Sequence, residues 1–407
     1  MKSIKFITLG CKANQYDTQS IRERFLSNNF QEAKPNSIPD YFLINTCTVT
    51  AGADQKSRHF VRKCIRINPK AKVIVTGCLV EKDSHMLAGL KGVTLIIKKT
   101  FFPEGISSFD QHTRAFLKVQ DGCSNFCTYC KVALVRGKER SKKLKQAISE
   151  AKKLVACGYK EIVLTGICLG AYGKDFVPKK DLVDLVKELE KIEGLSRIRI
   201  SSIEAADVTP KLIKYFKKSK KLCRHLHIPI QSGDNQILKR MNRKYTREEY
   251  LSLVNRLKSN VPSLVITTDC LVGFPGESET NFNQTVDLVK KIQPLKVHIF
   301  PYSRRPGTKA AGFRDLVDPL IIKQRCAALY KLTNIVRDKL MRQFVGKQFC
   351  LLIESISKDA PGFLEGLTDN YLLVRLPFKA GLCNKIVQFK IVRAKKGIFY
   401  GEYIDNS

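Results

Sequence analysis

Through the first 98 or so residues, short apolar runs alternate with stretches of helical periodicity. The runs are IKFITLGC (4–11), DYFLINTC (40–47), AKVIVTGC (71–78) and GVTLIIKK (92–99). A helix-like stretch follows the first from Asp17, and a basic one spans about 51–67 after the second. Near-continuous apolar runs are what parallel strands become when helices cover both faces of their sheet. The pattern therefore predicts a doubly wound α/β sheet. Cys11, Cys47 and Cys78 each end one of these runs. Parallel strands finish on one edge, where open α/β sheets bind ligands, so the three thiols are expected to share a crevice and hold a metal group there.

Beyond Ala115 the same alternation continues with AFLKVQDGC (115–123), EIVLTGI (161–167), RIRISSIE (197–204), HLHIPIQSG (225–233), LVITTDCLVGF (264–274) and LKVHIFPYS (295–303). Helix-like segments lie between them, among them 142–156, 181–192 and 278–291. Six such units predict an incomplete parallel barrel with its site at the strand C-termini. After residue 342 the pattern shortens to FCLLIESIS, NYLLVRL, KIVQFKIV and IFYGEYI, split by PGFLEG and KAGLCN. That spacing predicts a small antiparallel β-barrel. The expected division is 1–112, 113–342 and 343–407.

Composition narrows the chemistry. The chain has 407 residues and a formal net charge of +35, and its 43% hydrophobic content excludes a disordered basic tail. Such an excess points to a polyanion, most often nucleic acid, with a lysine-biased proteome as the plainer source. The tail holds 9 Lys and Arg against 6 Asp and Glu, so the excess lies upstream. Its densest parts are 138–153 (Lys138, Arg140, Lys142, Lys143, Lys145), 211–224 (Lys214, Lys217, Lys218, Lys220, Lys221, Arg224) and 239–247 (Lys239, Arg240, Arg243, Lys244, Arg247). RNA phosphates suit them. No apolar run nears the ~18 residues of a membrane span, and the opening MKSIKFITLGCKANQ is too briefly apolar for a signal peptide. A cytoplasmic protein without a membrane partner is expected. Fourteen cysteines in such a chain read as metal ligands or buried thiols rather than disulfides.

The sharpest local signal is DGCSNFCTYC, which spaces Cys123, Cys127 and Cys130 as C-x3-C-x2-C. Three thiolates on a loop after a strand can bind three irons of a [4Fe–4S] cluster. The fourth iron is then open to the amino and carboxylate groups of S-adenosylmethionine (SAM), whose sulfonium can be cleaved homolytically by an electron from the cluster. A zinc knuckle would need a fourth Cys or His nearby, and none follows. Cysteines 64, 157, 168, 223, 270, 326, 350 and 383 lack metal-like spacing and default to buried packing, with Cys168 and Cys270 near the barrel mouth. His225 and His227 alternate along one strand and make at most half a zinc site.

These motifs, in this order, resemble the radical-SAM methylthiotransferases. The match rests on TLGCKANQYD, NTCTVTAGADQKSR and VIVTGC in the first part. DGCSNFCTYC, VLTGICLGAYG, SSIE, HIPIQSG, TDCLVGFPGE and FPYSRRPGT carry it through the second, and GFLEGLTDNYLLV through a TRAM-like tail. The resemblance implies a second, auxiliary [4Fe–4S] cluster on Cys11, Cys47 and Cys78, with one iron able to hold an extra sulfur. One SAM would methylate that sulfur. A second SAM, on the Cys123/Cys127/Cys130 cluster, would yield a 5′-deoxyadenosyl radical that removes hydrogen from C2 of an adenine at position 37 of tRNA. The family expectation for the tail is binding of the anticodon stem-loop, and a sulfur donor and a low-potential electron donor would be external. Expected SAM contacts are Tyr129, Thr165, Gly166, Glu204, Gln231, Gly273, Gly276 and Glu277.

Three substrates compete within the family: N6-threonylcarbamoyladenosine, N6-isopentenyladenosine and a ribosomal-protein aspartate. LGCKANQYD, LTGICLGAYG and the TDNY turn (368–371) resemble the threonylcarbamoyl group, whose usual form reads LGCK-x-NQ-x-[ED]. That substrate carries a carboxylate, so its pocket wants a cation, and Arg304 or Arg305 is expected to supply it. Lys131, Ala133, Ala205, Ala206, Cys168 and Cys270 depart from the usual family residues, and none is among the six expected ligands.

Overall fold

The computed structural model describes residues 1–82, 84–90, 92–97, 105–109 and 112–404. Its first sheet contains β1 (Lys2–Thr8), β2 (Phe30–Glu32), β3 (Tyr41–Thr46), β4 (Lys72–Gly77) and β5 (Val93–Ile97), all parallel in the order β2-β1-β3-β4-β5. Phe42, Ile44, Val73 and Val75 pack on Val61 and Cys64 of the helix Ala51–Ile67. The alternate residues Ile4, Leu43 and Ile74 pack on Ile21 and Phe25 of the helix Lys12–Leu26. Both faces are thus covered, which is why the strands read as unbroken apolar runs. The strands stop at Thr8, Thr46 and Gly77, so the three cysteines lie just past the strand ends and not on them. β2 was not expected, and Lys98 and Lys99 of the fourth run lie outside the described residues.

The central part contains β6 (Arg114–Lys118), β7 (Gln120–Asp121), β8 (Arg140–Ser141), β9 (Glu161–Thr165), β10 (Arg197–Ile200), β11 (His225–His227), β12 (Val265–Val272) and β13 (Lys296–Pro301). β10-β9-β6 and β11-β12-β13 are parallel sheets, joined by parallel bridges at Ile198–Leu222 and Ser202–His227. The six strands form the expected partial barrel. Ile162, Leu164, Ile198, Leu226 and Ile266 pack outward in the largest apolar core. Residues alternating with them, including Glu161, Arg199, His227, Thr267 and Asp269, face the other side and make a polar lumen. Most strands end sooner than their apolar runs. β7 leaves the barrel to pair antiparallel with β8.

The tail closes into a barrel of β14 (Gln348–Ile356), β15 (Phe363–Thr368), β16 (Leu373–Pro377), β17 (Ile386–Lys395) and β18 (Ile398–Tyr403), in the order β14-β15-β16-β18-β17. The β16–β18 pair is parallel and the others antiparallel. PGFLEG does not separate strands as a whole, because β15 begins at its Phe363. Gly366 sits in mid-strand, where an added Cβ would lie 2.0 Å from the Leu352 carbonyl oxygen, so the glycine permits a close strand approach.

This barrel docks at the N-terminal ends of the central strands. Arg197 donates to the carbonyls of Leu367 (3.0 Å) and Cys350 (2.8 Å). Arg199 donates to those of Thr368 (3.0 Å) and Asp369 (2.9 Å) while paired with the buried Glu161. Tyr371 stacks on His225 with centroids 4.3 Å apart. The TDNY turn is therefore a docking element. Among the described residues, no helix is long and apolar enough to cross a membrane.

Candidate active site

The C-x3-C-x2-C loop leaves the barrel at the C-terminal end of β7, held by Gln120. That buried amide donates to the carbonyls of Asp121 (2.9 Å) and Gly122 (2.8 Å), and its oxygen accepts from the backbone N–H groups of Ile167 (2.9 Å) and Cys168 (2.7 Å). One side chain thus fixes the segment entering Cys123 to the exit of β9. Further along the loop, Val132 N–H points to Cys130 Sγ at 3.4 Å, and Arg243 Nη1 to Cys127 Sγ at 3.4 Å. Burial raises the Cys127 thiol and pushes Cys130 up to about 12. A hydrogen bond with Cys168 holds Cys123 below its ordinary value. Three soft sulfur donors on one loop, each met by a donor group, fit the ligand set of an iron–sulfur cluster. A cleft of about 570 Å³ opens beside Cys127 and Cys130, lined also by Phe126, Thr128 and Arg240.

Cys47 and Cys78 lie beside the first turn after β1, and Cys11 stands at the N-cap of the helix Lys12–Leu26 that follows it. An added Cβ on Gly10 would lie 3.1 Å from Cys47 Sγ, and Cys78 Sγ stands 3.8 Å from Asn14 Oδ1. Asn14 Nδ2 ties the turn together through the carbonyls of Leu9 (2.7 Å) and Thr46 (3.0 Å). Cys47 and Cys78 are buried, and Cys11 is exposed. This second trio of thiols also fits a cluster's donor chemistry. Lys12 directly follows Cys11 and is half-buried, its ammonium 5.9 Å from the Phe116 ring centre. Burial, with the like charges of Arg114 and Arg199, lowers its pKa to about 8.

The helix Cys78–Lys82 packs on the helix Val132–Arg136, which begins two residues after Cys130. Two polar junctions accompany this contact. In one, Arg136 bonds Asn14 and Asp121, and the buried Lys118 is shared by Asp17 and Asp121. In the other, Arg305 and Lys82 converge on Asp54 at 2.7 and 3.1 Å. Burial also pushes the neighbouring Lys131 down to about 8.

Several expected site residues are otherwise engaged. Glu277 accepts from Gly273 N–H and Arg325 Nη1, each at 3.0 Å, and an added Cβ on Gly273 or Gly276 would meet Ile322 or Asp315. These three residues also seat the segment 315–325 against the exit of β12. Arg305 is ion-paired to Asp54 and bonds the Thr48 carbonyl, both through Nη2, so its charge is already matched by a carboxylate, and its buried Nε is unbonded. Arg304 is exposed and gives its Nε to the Ala311 carbonyl. Lys142 and Arg243 leave the set of solvated cations: the first is buried against Glu150 and Tyr16, the second against Glu204 and Cys127.

The others lie at or near the strand exits. Glu204 reaches Cys127 through Arg243, and Tyr129 packs edge-on against Phe274. Gly166 abuts the Gln120 oxygen, and the Thr165 carbonyl accepts from Val119. Gln231 is half-buried with a left-handed φ of 57° and bridges to Cys270. Of the remaining cysteines, 64, 168, 223 and 270 are buried, whereas 157, 350 and 383 are exposed, contrary to the packing default. Gln120, Asn14 and Arg136 were not foreseen, because a buried amide or guanidinium leaves no periodic signal.

Comparison with known proteins identifies the family. The Radical SAM superfamily profile matches residues 117–289, and the profile described as Uncharacterized protein family UPF0004 matches residues 3–98. The threonylcarbamoyladenosine tRNA methylthiotransferase MtaB of Bacillus subtilis is 37% identical, over 99% of this chain and 97% of its own. The tRNA-2-methylthio-N(6)-dimethylallyladenosine synthase of Carboxydothermus hydrogenoformans is 35% identical over 97% of each chain. Among solved structures, the radical SAM methyltransferase TsrM of Kitasatospora setae shares the fold with a TM-score of 0.54 at 11% identity, covering 83% of this chain and 89% of that one. With a [4Fe–4S] cluster and SAM implied by that superfamily, this chain belongs to the radical-SAM tRNA methylthiotransferases.

Proposed function

We propose that this protein methylthiolates C2 of N6-threonylcarbamoyladenosine at position 37 of tRNA, using two [4Fe–4S] clusters and two SAM molecules, one as methyl donor and one as radical source. The observation that carries the two-cluster reading is the packing of the helix that starts at Cys78 on the helix that follows Cys130. It supports two cysteine trios serving one base. Cys123, Cys127 and Cys130 would hold the SAM-binding cluster, and Cys11, Cys47 and Cys78 the auxiliary one. When bound, the clusters supply an open iron for SAM and an iron that can carry sulfur.

The chain's own residues orient and enclose. Arg243 sets Glu204 beside Cys127, Gln120 fixes the loop, and Tyr129, Thr165, Gly166 and Gln231 surround the strand exits where SAM would lie. The exposed cations Lys138, Arg140, Lys217, Lys218, Lys239 and Arg240 suit the phosphates of an anticodon stem-loop. We assign 1–112 to the auxiliary-cluster domain, 113–342 to the radical-SAM domain and 343–407 to the RNA-binding domain. Sulfur and low-potential electrons come from external donors. Support for the nucleoside comes from LGCKANQYD and from relatives named for threonylcarbamoyladenosine at 34–38% identity.

The test is nucleoside mass spectrometry of tRNA from cells with and without the gene. The expected difference is the 2-methylthio form of N6-threonylcarbamoyladenosine. Cys47→Ala should abolish that product while SAM cleavage stays detectable, and Cys123→Ala should abolish both. Full product from Cys47→Ala would overturn the two-cluster reading.

A further inference from the structure

Relatives named for the threonylcarbamoyl and dimethylallyl nucleosides are 37% and 35% identical to this chain, so overall similarity does not separate the two. The chemical difference is one carboxylate. A base-side pocket for it needs a cation whose charge is not already neutralised. Arg305, Lys118, Lys142, Arg136, Arg243 and Arg199 are each ion-paired to a carboxylate. Lys131 is buried in the junction at Asp54, and Arg304 bonds the Ala311 carbonyl at the surface. Lys131 has no carboxylate partner of its own but is buried beside the like charges of Lys82 and Arg305, whereas Lys12 is only half-buried. Among the described residues Lys12 makes no hydrogen bond or ion pair, and it is half-buried beside the Phe116 ring of β6.

We propose that Lys12 is the specificity-determining cation that receives the carboxylate of the N6-threonylcarbamoyl group. The inference rests on the reading of the substrate given above. Its geometry follows from the base. In adenine, C2 and the N6 substituent flank N1 on the same edge. A base presenting C2 to the Cys11/Cys47/Cys78 trio therefore carries its N6 substituent alongside that trio. Lys12 is the residue next to Cys11, at the start of the helix Lys12–Leu26. A lysine there discriminates by charge, since an isopentenyl group would leave the half-buried ammonium desolvated and unpaired.

The test presents three anticodon stem-loops to the cluster-loaded full chain. They carry N6-threonylcarbamoyladenosine, its methyl ester, or N6-isopentenyladenosine, and kcat/KM is measured for each. The wild type is expected to prefer the free acid over the ester by about tenfold or more, the scale of a charge-assisted hydrogen bond. Lys12→Gln should erase that preference, mainly through KM, and Lys12→Arg should keep most of it. Both stem-loops meet the same preparation, so a general loss of cluster or fold cancels in the ratio. A wild type indifferent to esterification overturns the proposal without any variant, and so does Lys12→Gln with an undiminished preference. A wild type that modifies only the isopentenyl stem-loop overturns the substrate reading itself, an outcome distinct from the other two.

Discussion

Arg136 Nη2 donates to Asn14 Oδ1 at 2.6 Å, and the same Asn14 oxygen lies 3.8 Å from Cys78 Sγ. Asn14 belongs to the helix that follows Cys11, and Arg136 ends the helix that follows Cys130. One hydrogen bond therefore links the surroundings of the two cysteine trios. Arg136 is buried, with Asp121 as its main counter-charge at 2.7 Å.

Arg136→Ala leaves Asp121 and Asp17 with less cationic compensation in a buried site. Removing one partner of such a pair costs on the order of 3–5 kcal/mol, which calorimetry will show as a lower Tm. If the link also positions the base, the ratio of 5′-deoxyadenosine to methylthiolated nucleoside rises, because radical formation outlasts productive transfer. A lower Tm with an unchanged ratio would mean that the link is only structural.

Arg305 makes a contrasting prediction. Burial alone would raise Asp54, but hydrogen bonds from Thr48, Arg305 and Lys82 outweigh it and lower its pKa. Arg305→Met should destabilise the chain by roughly 3–5 kcal/mol, and adding Asp54→Leu should recover part of that loss, since replacing a buried pair costs less than halving it. Denaturant unfolding of the single and double variants measures the coupling. The free-acid preference over the methyl ester should survive in Arg305→Met if the residue acts through Asp54.

Glu161 ties stability to acid. Burial would raise it, but Arg199, Arg114 and Arg197 prevail and hold its pKa below the ordinary 4.5. A depressed carboxylate stabilises the fold fully above its unfolded value and loses that contribution as pH falls through the folded one. Stability should therefore drop below about pH 4.5, with the Arg199 contacts to Thr368 and Asp369 loosening first. Amide exchange across 367–371 during acid titration checks this. Glu161→Gln should flatten the dependence.

Cys168 neighbours Cys123 without belonging to the C-x3-C-x2-C set, and its thiol lies 3.6 Å from Asn125 Nδ2 and 3.8 Å from Asp207 Oδ2. If it only supports Cys123, Cys168→Ala should retain the full iron and sulfide content and still cleave SAM. Loss of iron equal to that in Cys123→Ala would make it a ligand.

Much of this was readable from residue order. Alternating apolar and amphipathic stretches gave the doubly wound sheet, because strands covered on both faces lose their polar alternation. The six cysteines stood out by spacing or by recurrence at strand ends. Gly273, Gly276 and Glu277 stood out as a glycine-rich strand exit, but their packing on Ile322, Asp315 and Arg325 joins segments that no local pattern connects. Lys142 and Arg243 misled because runs of cations say nothing about which member turns inward. The joints at Asn14–Arg136 and Asp54–Arg305 join residues more than a hundred positions apart, beyond any local pattern.

The tail is fastened to the central barrel largely by its main chain, since Arg197 and Arg199 grip four carbonyl oxygens. Carbonyls are the same whatever side chain they carry. The tail can thus drift in sequence at those positions and keep its mounting, so long as the two arginines stay. On the proposed role of the tail, the angle at which a tRNA is delivered is in this way insulated from variation in the surface that would grasp it.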